Sequence, residues 1–279
     1  MKPLLRPALL ILALAALPFA AEAHRSWLMP SSTQVDGKNQ YITVDGGASD
    51  NLFQADSFPL KFDGLTVTAP DGSTVAPENL NTGKLKSSFD LKLSADGTYR
   101  IAAVSDTIMG RYTLNGETKR FRGTATDLAT LVPAGATDVV VSHMISRVET
   151  YTTANKPSDA ALKPVGHGLE IVPLSSPSGY VAGEKAAFRA LLDGKPLAGL
   201  AIEIIPGAVR YRGALKDIDV TTAADGTFSV TWPMGQMYWI GATYPTRVGD
   251  ADENKAQNQG NDQPAQRWSY AGTFEVMPF

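Results

Sequence analysis

Short apolar or alternating runs, each closed by a glycine-bearing turn, recur along the chain. They cover 40–45, 65–69, 88–93, 98–104 and 137–142 in the first half. In the second half they cover 168–173, 186–192, 200–205, 220–222, 227–232, 237–243 and 269–276. A period of two, rich in β-branched and aromatic residues, predicts strands. Asp71-Gly72, Asp96-Gly97, Asp193-Gly194 and Asp225-Gly226 stand between such runs. Asp-Gly tolerates the positive φ of a tight turn, so each reads as a hairpin signal. The run 237–243 is expected to pair with 269–276. No long stretch has a 3.6-residue period, and only 124–131 suits a helical turn or two. The pattern predicts an all-β fold.

The stretch 156–168 holds Pro157, Pro164, Gly166 and Gly168 between strand-like blocks, which is the composition of a linker. It divides the chain into two β-sandwich-like modules, an N-terminal β domain over 24–160 and a C-terminal one over 165–279. The Asp193-Gly194-Lys195-Pro196 turn and the Asp225-Gly226-Thr227-Phe228 strand start make the second module immunoglobulin-like or transthyretin-like. Asp96-Gly97-Thr98-Tyr99 echoes that strand start in the first module. The polar stretch 249–266 reads as a long solvated loop or a disordered one.

The first 23 residues follow a different pattern. Lys2 and Arg6 precede an apolar run over 7–20, which Pro18 interrupts and Ala21-Glu22-Ala23 follows. A charged start, an apolar core and a small-residue triplet predict a secretory signal peptide cleaved after Ala23. The run is too short for a membrane span, which needs about 18 or more apolar residues. The mature chain is expected to begin at His24 in an extracytoplasmic compartment, the bacterial periplasm. Cleavage removes two cations and one anion, leaving that chain one charge more negative than the −3 of the whole. A mild acidic balance argues against nucleic acid as partner. With no cysteine there is no disulfide, thiolate metal site or thiol nucleophile.

Candidate chemistry is sparse. No nucleophile elbow or phosphate-binding glycine loop appears, and no spacing selects a pair of carboxylates, so the chain does not read as an enzyme. The acidic start at Asp250 fails as a calcium loop, because Lys255 and Asn261 stand where glycine and glutamate are required. The three histidines are His24, His143 and His167. As a mature N-terminus, His24 would offer an α-amine and imidazole Nδ1 that together chelate copper, nickel or cobalt. His143 follows an apolar strand, where one hydrogen bond is its plain role and a second imidazole for a metal its sharper one. His167 lies between glycines and reads as solvated. The cluster from Trp232 to Trp239 is either sandwich core or a sugar-stacking platform. Arg210-Tyr211-Arg212, read as a strand, puts two guanidiniums on one face, for an anion or for Asp217 and Asp219.

Several segments together resemble a known family. They are His24-Arg25-Ser26-Trp27-Leu28-Met29-Pro30, Tyr41-Ile42-Thr43-Val44-Asp45, Ser49-Asp50-Asn51-Leu52-Phe53, Gly83-Lys84 to Phe89-Asp90-Leu91, Arg147-Val148-Glu149-Thr150-Tyr151, Arg210-Tyr211-Arg212 and the 232–239 cluster. The chain resembles an exported bacterial family of unknown function, often labelled a nickel/cobalt-uptake periplasmic component (NikM-like). That resemblance implies a two-part periplasmic β protein that binds a divalent transition metal and serves a membrane transporter or outer-membrane receptor. It carries the His-x-x-Trp-Leu start over to His24 and Trp27, and an acidic loop over to Asp45, Asp50 and Asp56. One departure stands out, since Ser57 occupies a position where related chains tend to place histidine. The expected metal set is therefore His24, Asp45, Asp50, Asp56 and His143. The alternative is a non-catalytic carbohydrate- or envelope-binding β-sandwich.

Overall fold

The computed structural model describes residues 24–245 and 265–279. The expected signal peptide and nearly all of the expected polar loop at 249–266 lie outside the described residues. Among those described, no helix is long and apolar enough to cross a membrane.

Strands dominate the described residues. The first part contains β1 (Arg25–Pro30), β2 (Gln34–Val35), β3 (Gln40–Ser49), β4 (Phe58–Pro59), β5 (Leu65–Thr68), β6 (Thr74–Val75), β7 (Glu78–Thr82) and β8 (Ser87–Leu93). A long ribbon follows, with β9 (Gly97–Leu114), β10 (Glu117–Gly123), the helical turn α1 (Leu128–Leu131) and β11 (Thr137–Ala154). After it come β12 (Leu169–Pro173), β13 (Lys185–Leu192), β14 (Lys195–Pro196), β15 (Ala201–Pro206) and the helical turn α2 (Val209–Arg212). The chain ends with β16 (Ile218–Thr221), β17 (Thr227–Thr231), β18 (Gln236–Tyr244) and β19 (Gln266–Val276).

Three sheets form. A five-stranded sheet runs β1-β3-β8-β7 with β4 on β3, and a four-stranded one runs β12-β13-β14 with β17 on β13. Between them lies a ten-stranded sheet, β16-β15-β18-β19-β11-β9-β5-β6, with β10 and β2 on its flanks. Alternation along its strands decides what each face covers. Tyr238 and Ile240 of β18, Tyr270 and Phe274 of β19 and Tyr151 of β11 point into one core with Ile171, Phe188, Phe228 and Trp232. Trp239, Ala271 and Val148, at opposite parity, point into the other core with Trp27, Val44, Phe89, Leu91, Tyr99 and Ile101.

The result is two sandwich-like layers, as the periodicity implies, joined through a shared sheet. The stretch 156–168 lies between β11 and β12, and Leu162 within it packs into the C-terminal core. The central sheet takes strands from both sides of that stretch, because β11 pairs in parallel with β19 from His143↔Gln266 to Thr150↔Thr273. The expected pairing of 237–243 with 269–276 is present, with Met237 opposite Glu275 and Thr243 opposite Ser269.

The Asp-Gly turns divide into two kinds. Asp71-Gly72 and Asp193-Gly194 close hairpins, β5–β6 and β13–β14. Asp96-Gly97 and Asp225-Gly226 instead lead from one sheet to another, from β8 into β9 and from β16 into β17. The two echoed strand starts therefore play the same part in the two layers, and Tyr99 and Phe228 enter the two cores.

Candidate functional site

β1 begins directly after His24, so the register of β1 decides what that histidine meets. Trp27 lies opposite Gly47 on β3, and its indole Nε1 donates to Ser49 Oγ at 2.8 Å. A Cβ on Gly47 would stand 2.8 Å from the Trp27 ring, so glycine is what lets the indole lie flat on β3. Arg25 then pairs with Ser49, and His24 comes beside Asp50, the next residue out. His24 Nδ1 lies 2.6 Å from Asp50 Oδ1, with both side chains partly open to solvent. The Phe58 ring meets the imidazole edge-on at 5.1 Å.

The loop that carries Asp50 is held by Asp56. Its carboxylate accepts from the Asn51 backbone N–H at 3.2 Å, the Asn51 amide at 3.0 Å and the Ser57 hydroxyl at 2.9 Å. Slight burial pulls this carboxyl upward, but the hydrogen bonds from Asn51, Ser57 and the Asp50 backbone outweigh it and hold it below the usual carboxylate range. Phe53, at φ +66°, packs edge-on against Trp27 at 6.2 Å and fastens the loop to the core. The corner is also tied to the C-terminal half. Arg25 donates to Glu203 at 3.1 Å and lies 5.7 Å over the Trp239 ring, while Trp239 Nε1 donates to the Ser26 carbonyl at 2.9 Å.

Of the five expected metal ligands, the structure brings together His24 and Asp50. Asp45 pairs with Met29, at the far end of β1, and accepts from Lys86 Nζ at 2.7 Å. That position lies about 13 Å along the strand from Ser49, at roughly 3.3 Å per residue. Asp56 spends its oxygens on its own loop. His143 sits in β11 opposite Ile108, with Nε2 bonded to the Asp106 carboxylate. Among the described residues no three His, Cys, Asp or Glu side chains converge as a metal group. What a metal could use is therefore one imidazole, one carboxylate and, after cleavage before His24, one amine. Two donors at right angles with bonds of about 2.0–2.1 Å stand about 2.9 Å apart. At 2.6 Å the His24–Asp50 pair is a hydrogen bond, and it would have to open by a few tenths of an ångström to admit an ion between its two donors.

The remaining candidates take structural places. Trp232, Tyr238 and Trp239 are buried at 1%, 0% and 8% exposure. Trp232 and Tyr238 pack ring to ring at 4.8 Å in the C-terminal core, whereas Trp239 points into the other core. Adjacent positions on β18 face opposite ways, so these rings offer no common surface to a sugar. Arg210-Tyr211-Arg212 is the helical turn α2, not a strand. Ala208 and Gly213, both in the left-handed region, bound this turn, and Arg212 donates to the carbonyls of Pro206, Gly207 and Leu215 rather than to Asp217 or Asp219. His167 stands 3.7 Å from Asp193 at an exposed turn.

One buried polar group escapes a sequence reading. Glu149 Oε1 accepts from the hydroxyls of Tyr151 at 3.1 Å and Tyr270 at 2.9 Å, and Arg147 lies 3.6 Å from Oε2. Burial, then the Glu149 charge, pushes both phenols well above their usual value. Arg147, Glu149 and Tyr151 alternate on one face of β11, so the Arg-Val-Glu-Thr-Tyr segment serves the core between sheets.

A family model described as a domain of unknown function (DUF4198) matches residues 21–246. No curated protein matches the sequence. Among solved structures, a DUF4785 family protein from Legionella pneumophila aligns at 8% identity and TM-score 0.24 over 77% of this chain and 51% of its own. The chain thus spans about half the length of that protein. A two-domain fibronectin type-III segment of chicken tenascin aligns at 12% identity and TM-score 0.23, covering 89% of this chain and 97% of its own.

Proposed function

Because the chain belongs to the DUF4198 family, whose function is unknown, we infer its role from its own corner site: an exported, non-catalytic protein that binds a divalent transition metal at His24 and Asp50. The observation that carries this reading is the 2.6 Å approach of His24 Nδ1 to Asp50 Oδ1 at an open corner whose loop is locked by Asp56. The resemblance to chains labelled as nickel/cobalt-uptake components supports nickel, cobalt or copper as the cargo and a membrane transporter or outer-membrane receptor as the recipient. A site with few protein donors suits delivery, since its open positions leave room for a recipient's ligands.

Export is part of the reading. Cleavage after Ala23 would free the His24 amine, and amine plus Nδ1 would form a chelate with Asp50 as third donor. Mature protein beginning at His24 should bind one equivalent of Cu(II) or Ni(II) in calorimetry. Binding should weaken in acid, because protons compete for both nitrogens. Copper should bind most tightly whatever the physiological metal, following the general order of divalent affinities. An extra alanine before His24 keeps every side chain but moves the free amine away, and should cost roughly tenfold or more in affinity. Asp50→Asn should weaken binding too. Wild-type protein that takes up none of the three metals overturns the reading.

A further inference from the structure

The other end of β1 carries a second group of donors, of a different chemical kind. Tyr238 and Val276 point into the C-terminal core, so Met237, Glu275 and Met277 project from the opposite face of β18 and the end of β19. Met237 lies directly across from Glu275. Met277, two residues further on, is its diagonal neighbour, a spacing that long side chains bridge. β1 passes over this face, and Met29 closes the third side. Together Met29, Met237, Met277 and Glu275, with Pro30 and Gln34, line one open groove of about 380 Å³. Three of the chain's seven methionines thus meet in one place, each half-buried.

We propose that this groove binds a soft monovalent cation, Cu(I), through the thioether sulfurs of Met29, Met237 and Met277. The chain has no cysteine, so thioethers are its soft ligands, and neutral sulfur donors select Cu(I) over the harder divalent ions. Methionine has three rotatable bonds, which lets sulfurs from three strands swing onto one ion without moving the backbone. Glu275 is bonded to the Thr33 hydroxyl, which braces the far side of the groove and leaves a negative charge beside it. This site stands apart from the His24 reading, since the donors differ and β1 separates the two by about 16 Å.

The mature chain, titrated anaerobically with Cu(I) in competition with bicinchoninate, should take up one ion. Met237→Leu and Met277→Leu should each weaken uptake roughly tenfold or more. The triple variant with Met29→Leu should lose it, with Cu(II) binding at His24 unchanged. His24→Ala and Met234→Leu should leave Cu(I) affinity as in wild type. Ag(I), a stand-in for Cu(I), should protect Met29, Met237 and Met277 of the unaltered protein from peroxide, read by peptide mass spectrometry, while exposed Met234 oxidises as before. Failure of wild type to bind Cu(I), retention of affinity in the triple variant, or equal oxidation of all four methionines with Ag(I) present would each overturn the proposal.

Discussion

Trp232 and Glu149 show two different ways in which a single side chain supports this fold. Trp232 is enclosed by Tyr238 at 4.8 Å and Tyr180 at 5.5 Å. Truncating it leaves a cavity that such a crowded site cannot close, and Trp232→Ala should cost about 3–5 kcal/mol in denaturant unfolding. Its Nε1 is buried without a partner, so Trp232→Phe should cost much less. Glu149 acts through charge. Glu149→Ala would strand Arg147 and two phenols away from water, and should also cost about 3–5 kcal/mol. The buried phenols add a pH limb. Tyr151, Tyr180 and Tyr270 are all held above the ordinary value of 10.0, with burial the leading cause. A raised folded pKa means the contribution is complete below that value and is lost as pH climbs from there toward the folded ones. Unfolding monitored by circular dichroism should therefore grow easier above about pH 10. The burial of the tryptophans is legible in the sequence, because Val230 and the 237–240 run have core composition. The inward turn of Glu149 is not, because its partner Tyr270 lies 121 residues away.

Among the elements, β1 matters most to the proposed metal corner, and its register rests on one close approach. With a Cβ at Gly47, the Trp27 indole must move, and the strand that positions His24 moves with it. Gly47→Ala should cost about 1–3 kcal/mol by overpacking, and should weaken metal binding at His24 although it touches neither ligand. Unchanged affinity in that variant would show that the corner does not depend on strand register. Asp56 sets an acid limit on the adjoining loop. Its lowered folded pKa gives a contribution that is present above the ordinary value of 3.8 and is lost as pH falls below it, so the loop should loosen in strong acid. Most strands, and the helical turns at 124–131, are readable from period and composition. An Asp-Gly turn reports that the chain reverses, but not whether the next strand returns to the same sheet. That choice depends on which face finds a partner. For the same reason the sequence brings His24 and Asp50 forward as candidates together with Asp45, and only the β1–β3 register separates the latter.

At the scale of the whole molecule, the shared sheet makes the two layers depend on each other. β11 precedes the 156–168 stretch, yet one of its edges is satisfied by β19 from beyond it, through eight register pairs. The first core is completed by Ile205, Trp239 and Ala271. Expressed alone, residues 24–160 would leave the β11 edge unpaired over that length and open the core where those side chains sit. Unpaired edges of this kind invite association with other chains. The second half would in turn lose Tyr151 from its core and, with the whole of β11, the partners of the Tyr270 hydroxyl and of the β19 edge. Scanning calorimetry of residues 24–279 should thus give a single cooperative transition, with calorimetric and van't Hoff enthalpies in agreement. Residues 24–160 and 165–279, produced separately, should be unfolded or aggregated. When mixed during refolding, they should recover strand signal that neither shows alone. Two resolved transitions in the intact chain, or a soluble and cooperatively melting half, would instead mean that the central sheet is an abutment of two self-sufficient domains. In that case Gly47→Ala would lower only the N-terminal transition, whereas Glu149→Ala, on β11 yet bonded to Tyr270, would be felt in both. With one cooperative unit, each substitution should shift the same transition, and the two losses should add, because the sites share no contact.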